Sequence, residues 1–111
     1  MTKIIFLAIF PLTILSCSKD KVIPYSGLNC SDEISFSEDV LPLINQNCTG
    51  CHNNQNGYSL TNYDNISTNS KAIIGAMRGN NYQLMPKGGP MLPDSLIEIM
   101  ECWVNQGKLN N

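Results

Sequence analysis

The sequence predicts a small all-α domain, and three observations carry that prediction. Near the C-terminus, Leu96, Ile99, Met100, Trp103 and Val104 form an apolar stripe at i, i+3, i+4, i+7, i+8 spacing. No stretch of useful length alternates apolar and polar residues as a half-buried strand would. Finally, of the 111 residues a core of only about 80 remains once the N-terminus is set aside, small enough to need a covalent staple. Cys48-Thr49-Gly50-Cys51-His52 has the form of one.

The N-terminus, Met1 to Ser16, reads as a secretory signal. Lys3 supplies a basic start, Ile4 to Leu15 an almost unbroken apolar run, and small Ser16 precedes Cys17. The run is about a dozen residues, short of the roughly 20 that a spanning helix needs. Pro11 and the terminal position argue against a buried core helix. Ile14-Leu15-Ser16-Cys17 resembles a bacterial lipoprotein box, which implies that Cys17 is the lipid-modified first residue of the mature chain. Leu15 is larger than the residue usual at its position, and the competing reading is an ordinary signal cleaved later.

Residues 17–33 are expected to form a tether: polar, interrupted by Pro24 and Gly27, and without a sustained period. The domain proper is expected over residues 34–111. Loss of Lys3 with the signal leaves six basic residues against nine acidic ones, a charge near −3. No basic stripe is present, which argues against nucleic acid as a partner.

Ser37 or Asp39 is positioned to cap a first helix running to about Asn47. With Ser37 as cap, Phe36 and Leu41 take the staple positions. Pro42 is tolerated only in a first turn and favours the later start at Asp39. A short helical turn is expected around Tyr63 to Ile66. Ser70 to Arg78 reads as a helix with Ile73, Ile74 and Met77 on its apolar face and Gly79 as its stop. Residues 80–94 form a loop rich in proline and glycine. In the last helix Ser95 and Glu98 have capping-box spacing, and Gly107 is a natural end.

Cys48, Cys51 and His52 carry the chemistry. The C-x-x-C-H pattern is that of c-type haem attachment. Positions i, i+3 and i+4 of a helical turn share one face. Two thiols can then form thioethers at one haem edge while the imidazole rises to the iron. Gly50 is expected to leave room for the porphyrin edge. Two other readings compete. A zinc site would need a fourth ligand, strained tetrahedral geometry at adjacent positions 51 and 52, and a second ligand pair that is absent. A thioredoxin-like redox pair would need a βαβ context.

His52 is the only histidine, so a sixth iron ligand from this chain is Met, Lys, water or nothing. Met1 leaves with the signal, and Met77 and Met100 fall at core spacing. Met85 and Met91 lie in the loop. Met85 precedes Pro86, which biases it to an extended backbone, and Gly88-Gly89 lets the chain fold back. Met85 is the favoured candidate and Met91 the alternative.

These residues resemble the small monohaem, class I-type cytochrome c domains of secreted bacterial proteins. The shared run covers about residues 35–111. It includes Phe36 to Pro42 before the haem motif, Leu60 and Tyr63-Asp64 after it, Ile73 to Gly79, Met85-Pro86 with Gly88-Gly89, and Trp103-Val104 with Gly107. The resemblance implies a cytochrome c-like helical domain wrapped around one covalently bound haem c. It also implies His52 and Met85 as axial ligands, Trp103 packed near the haem and the first helix, and transfer of single electrons as the activity. The function expected is an electron carrier on the periplasmic side of a bacterial membrane, lipid-anchored, with redox proteins as partners. Acidic charge and haem propionates suit a partner with a positive patch. The alternatives are a peroxidase-like haem enzyme subunit and a haem-based sensor with a labile Met85.

Two features depart from the resembled pattern. Pro93 stands where such domains often place a Ser cap, so the last helix is expected to start one or two residues later. Cys30 and Cys102 lie outside the haem motif. With Cys17 lipidated and Cys48 and Cys51 bonded to haem, these two remain, and an oxidising compartment favours joining them. In the resembled fold the first and last helices pack together, which would bring the pair close. The alternative is two buried thiols.

Overall fold

In the computed structural model, which describes residues 30–54 and 58–111, the chain first turns helical at Phe36. The signal, the lipid-attachment candidate Cys17 and the tether as far as residue 29 lie outside the described residues. The cap of the first helix is Ser35, two residues before the earlier of the two expected caps. Its hydroxyl accepts the Glu38 N–H at 3.2 Å, and Asp39 Oδ2 accepts the Ser35 N–H at 2.8 Å. This reciprocal pairing satisfies two donors that helix geometry would otherwise leave open.

The first turn, Phe36–Val40, is π-helical, with Val40 N–H reaching back to the Ser35 carbonyl at 3.2 Å. The α-helix α1 follows over Leu41–Asn47, with Pro42 in its first turn. The wide turn reconciles an early cap with a proline that cannot sit inside a regular helix.

Helix α2 covers Tyr63–Thr68, capped by the Asn62 side chain, which accepts the Asn65 N–H at 3.0 Å. Helix α3 covers Ser70–Arg78 and ends at Gly79, whose φ of 63° is the left-handed stop that glycine adopts without strain. Helix α4 covers Asp94–Asn105. Its N-cap is Pro93, and neither the expected capping box at Ser95 nor the later start forms. The Pro93 carbonyl accepts the Leu96 and Ile97 N–H groups at 3.0 and 3.3 Å, so Ser95 is already inside the first turn. The described residues contain no strand. None of their helices is long and apolar enough to cross a membrane.

The core lies where α4 meets the first turn and α3, with α1 and α2 adding Ile44 and Ile66. Val40, Ile44, Ile66, Ile97, Met100 and Trp103 are fully buried. The buried face of α4 is centred on Ile97, Met100 and Trp103, with Leu96 and Val104 only half-buried at its margin. The Trp103 ring packs 5.7 Å from Phe36 and 6.1 Å from Tyr63, the latter edge to face. Both polar handles in this cluster are satisfied by the C-terminal segment. Trp103 Nε1 donates to the Leu109 carbonyl at 2.9 Å and Tyr63 OH to the Lys108 carbonyl at 2.7 Å.

Residues 30–33, expected in the tether, belong to the folded body. Cys30 and Cys102 are disulfide-bonded, with Cα atoms 5.1 Å apart. Gln106 fastens the same segment. Its Nε2 donates to the Cys30 and Asp32 carbonyls at 3.0 and 2.7 Å, and its Oε1 accepts the Ile34 N–H at 2.9 Å. Asn111 completes the seam by accepting the Phe36 N–H at its Oδ1, 2.9 Å, and the Ser37 N–H at its carbonyl, 2.9 Å.

Candidate functional site

Helix α1 delivers the Cys48-to-His52 segment. Cys48 and Thr49 both donate their N–H groups to the Ile44 carbonyl, at 2.8 and 3.1 Å. The Thr49 hydroxyl lies 3.2 Å from that oxygen and 3.1 Å from Asn45 Oδ1, which ties the turn to the helix end. One further turn follows, with Cys51 and His52 donating to the Cys48 carbonyl at 3.1 and 2.9 Å. Cys48, Cys51 and His52 thus share a single helical turn, as i, i+3 and i+4. The chain returns to it when Leu60, itself buried, donates to the His52 carbonyl at 2.8 Å.

The three side chains sit in different surroundings. Cys48 packs against the hydrophobic core, and burial pushes its thiol up from 9.0 to about 11. Cys51 is exposed, and neither cysteine is in a disulfide. His52 is half-buried, and its Nδ1 is buried with no hydrogen-bond partner among the described residues. A buried ring nitrogen of that kind is costly unless a partner meets it. No group of three or more His, Cys, Asp or Glu side chains among the described residues converges as a metal-holding set. A Cβ at Gly50 would meet nothing within 4 Å, so the packing of the chain itself does not require glycine there.

The loop between α3 and α4 holds both methionine candidates. Met85 is half-buried, and its N–H donates to the Ala76 carbonyl in the last turn of α3 at 2.9 Å. Met91 is 48% exposed. Met77 and Met100 are buried in the core. The loop turns at Gly88, with φ of 80°, and Gly89 donates to the Pro86 carbonyl at 3.2 Å.

Two supports of this loop escape sequence reasoning. Arg78 forms a fork with Glu101, Nε to Oε1 at 2.7 Å and Nη2 to Oε2 at 2.9 Å, and reaches Asp94 Oδ1 at 3.1 Å. Hydrogen bonding to Glu101, above all, raises the Arg78 pKa further. No local spacing announces partners so far apart in sequence. Gly75 lies under the ring of Tyr82: an added Cβ would meet Tyr82 Cε2 at 2.8 Å and the Asn80 carbonyl at 3.0 Å. A lone glycine inside a helical pattern was the available signal for that close approach. No family model, curated protein or solved structure matches this chain.

Proposed function

We propose that this chain is a monohaem c-type cytochrome that carries single electrons between periplasmic or membrane redox partners. The observation that carries the reading is the one helical turn that holds Cys48, Cys51 and His52, with His52 Nδ1 buried and without a hydrogen-bond partner among the described residues. The residues fit haem c. Thioether attachment needs two cysteines outside a disulfide, and Cys48 and Cys51 meet that need.

Within this reading Cys48 and Cys51 would hold the porphyrin covalently, and His52 and Met85, the latter hung on α3 by its own N–H, would ligate the iron. Haem supplies one-electron exchange; the chain supplies attachment, axial ligands and a core that limits water access. Two axial protein ligands suit outer-sphere transfer over substrate binding. Cys17 would carry the lipid anchor, and a redox protein with a basic patch is the complementary partner.

The test is maturation. Produced with its signal in a host that attaches haem, the protein should carry one haem that survives acid–acetone extraction. Cys48→Ala or Cys51→Ala should weaken attachment, and the double variant abolish it. A colourless, zinc-loaded product under those conditions would end the cytochrome reading. An optical spectrum of the reduced protein with carbon monoxide separates the carrier from an enzyme or a sensor, because only an open or yielding axial site responds.

A further inference from the structure

We infer that Arg78 is a positioning residue for Met85, setting how firmly that thioether stays in its axial role. The inference rests on the proposed haem reading and goes beyond it. Arg78 is the last residue of α3 and Asp94 the first of α4, so their 3.1 Å contact joins the two ends of the loop that contains Met85. The bidentate pairing with Glu101, two turns into α4, fixes the guanidinium plane. Met85 donates its N–H to Ala76 O, two residues before Arg78 in sequence. A shift of the α3 end relative to α4 therefore moves Met85 directly.

The two arms differ in exposure. The side chains of Arg78 and Glu101 are each 33% exposed, whereas that of Asp94 is 72% exposed. Salt screens the Asp94 arm most, and the Glu101 fork persists. Lysine cannot replace this geometry, because one ammonium on a flexible stem has no planar fork for two carboxylates.

The haem-loaded, oxidised protein is titrated with imidazole, followed by its visible spectrum. An added ligand binds only when Met85 has left, so its apparent affinity scales with the open fraction of the loop. Arg78→Gln should raise imidazole affinity about tenfold, and Asp94→Asn, which removes only the exposed arm, about threefold. Arg78→Lys should resemble Arg78→Gln. Added salt should tighten imidazole binding in the unmodified protein but not in Arg78→Gln. A merely structural role would lower the unfolding midpoint and leave imidazole affinity in the folded range unchanged, which would overturn the inference. Met85→Ala separates the two layers. If it raises imidazole affinity and neither Arg78→Gln nor Asp94→Asn does, the clamp fails and Met85 ligation stands. If Met85→Ala has no effect, both fail.

Discussion

Cys102 is 1% exposed, yet it is bonded to Cys30, a surface residue 72 positions upstream. The bond anchors the start of the folded body to the buried face of α4. Closing a loop of that length is worth roughly 4 kcal/mol in chain entropy. Gln106 and Asn111 hold the same seam, and haem bonds would restrict the unfolded chain. The double variant Cys30→Ser, Cys102→Ser should therefore lose about 2 kcal/mol, lowering the melting temperature by roughly 8–16 °C. Its haem absorbance should not change. Alkylation of the unreduced protein followed by mass measurement checks the bond, and labelling at both Cys30 and Cys102 would show that it is absent in solution.

Met85 is half-buried and hydrogen-bonded to α3, and Met91 is 48% exposed. The oxidised protein should show the weak near-infrared sulfur-to-iron band. Met85→Ala should remove it and Met91→Ala should leave it. The reverse result would move the ligand to Met91, and a band that survives both changes would exclude ligation from this loop.

Burial keeps the Cys48 thiol protonated. A pKa moved from 9.0 to about 11 cuts its thiolate about a hundredfold at pH 8. In protein purified before haem attachment, iodoacetamide should label exposed Cys51 well before Cys48. The neutral thiol is the form the fold accepts, so the sign of the stability effect is fixed. Its contribution is complete below pH 9.0 and is lost as pH rises toward about 11. Denaturant midpoints across that window should fall, and fall less in Cys48→Ala. Equal labelling rates for the two cysteines at pH 8 would contradict the buried placement.

Cys17→Ala should move the domain from membranes to the soluble periplasmic fraction, because acyl chains are the proposed anchor. Fractionation after osmotic shock measures it. A variant that still sediments with membranes must be held there by another contact.

Local signals in the sequence were strong wherever one short segment decides its own conformation. Ser70–Arg78 was legible to the residue, since an apolar face and a glycine stop act within the helix they define. Met77 and Met100 were legible as core, and the helical body, with no strand among the described residues, followed from periodicity alone. The starts of the first and last helices were not. Ser35 outcompetes Ser37 because Asp39 reciprocates its hydrogen bond and because a π turn absorbs Pro42, two events that spacing does not reveal. Ser95 had the right spacing but lies inside the first turn, because the Pro93 carbonyl already accepts the Leu96 and Ile97 N–H groups.

The sequence by itself determined the chemistry on offer: Cys48, Cys51 and His52 at i, i+3 and i+4, with one histidine in the chain and two methionines in one loop. That much follows from covalent order, because helical spacing places near neighbours on a face without help from the rest of the fold. Tertiary structure alone decided the partial burial of Cys48, the buried Nδ1 of His52 that finds no partner among the described residues, and the hanging of Met85 on Ala76. It alone brought Arg78 to Glu101 and Gln106 to the Cys30–Ile34 segment. Those contacts join residues far apart in sequence, and their partners are selected only when packing of α4 against the first turn and α3 brings them within hydrogen-bond reach.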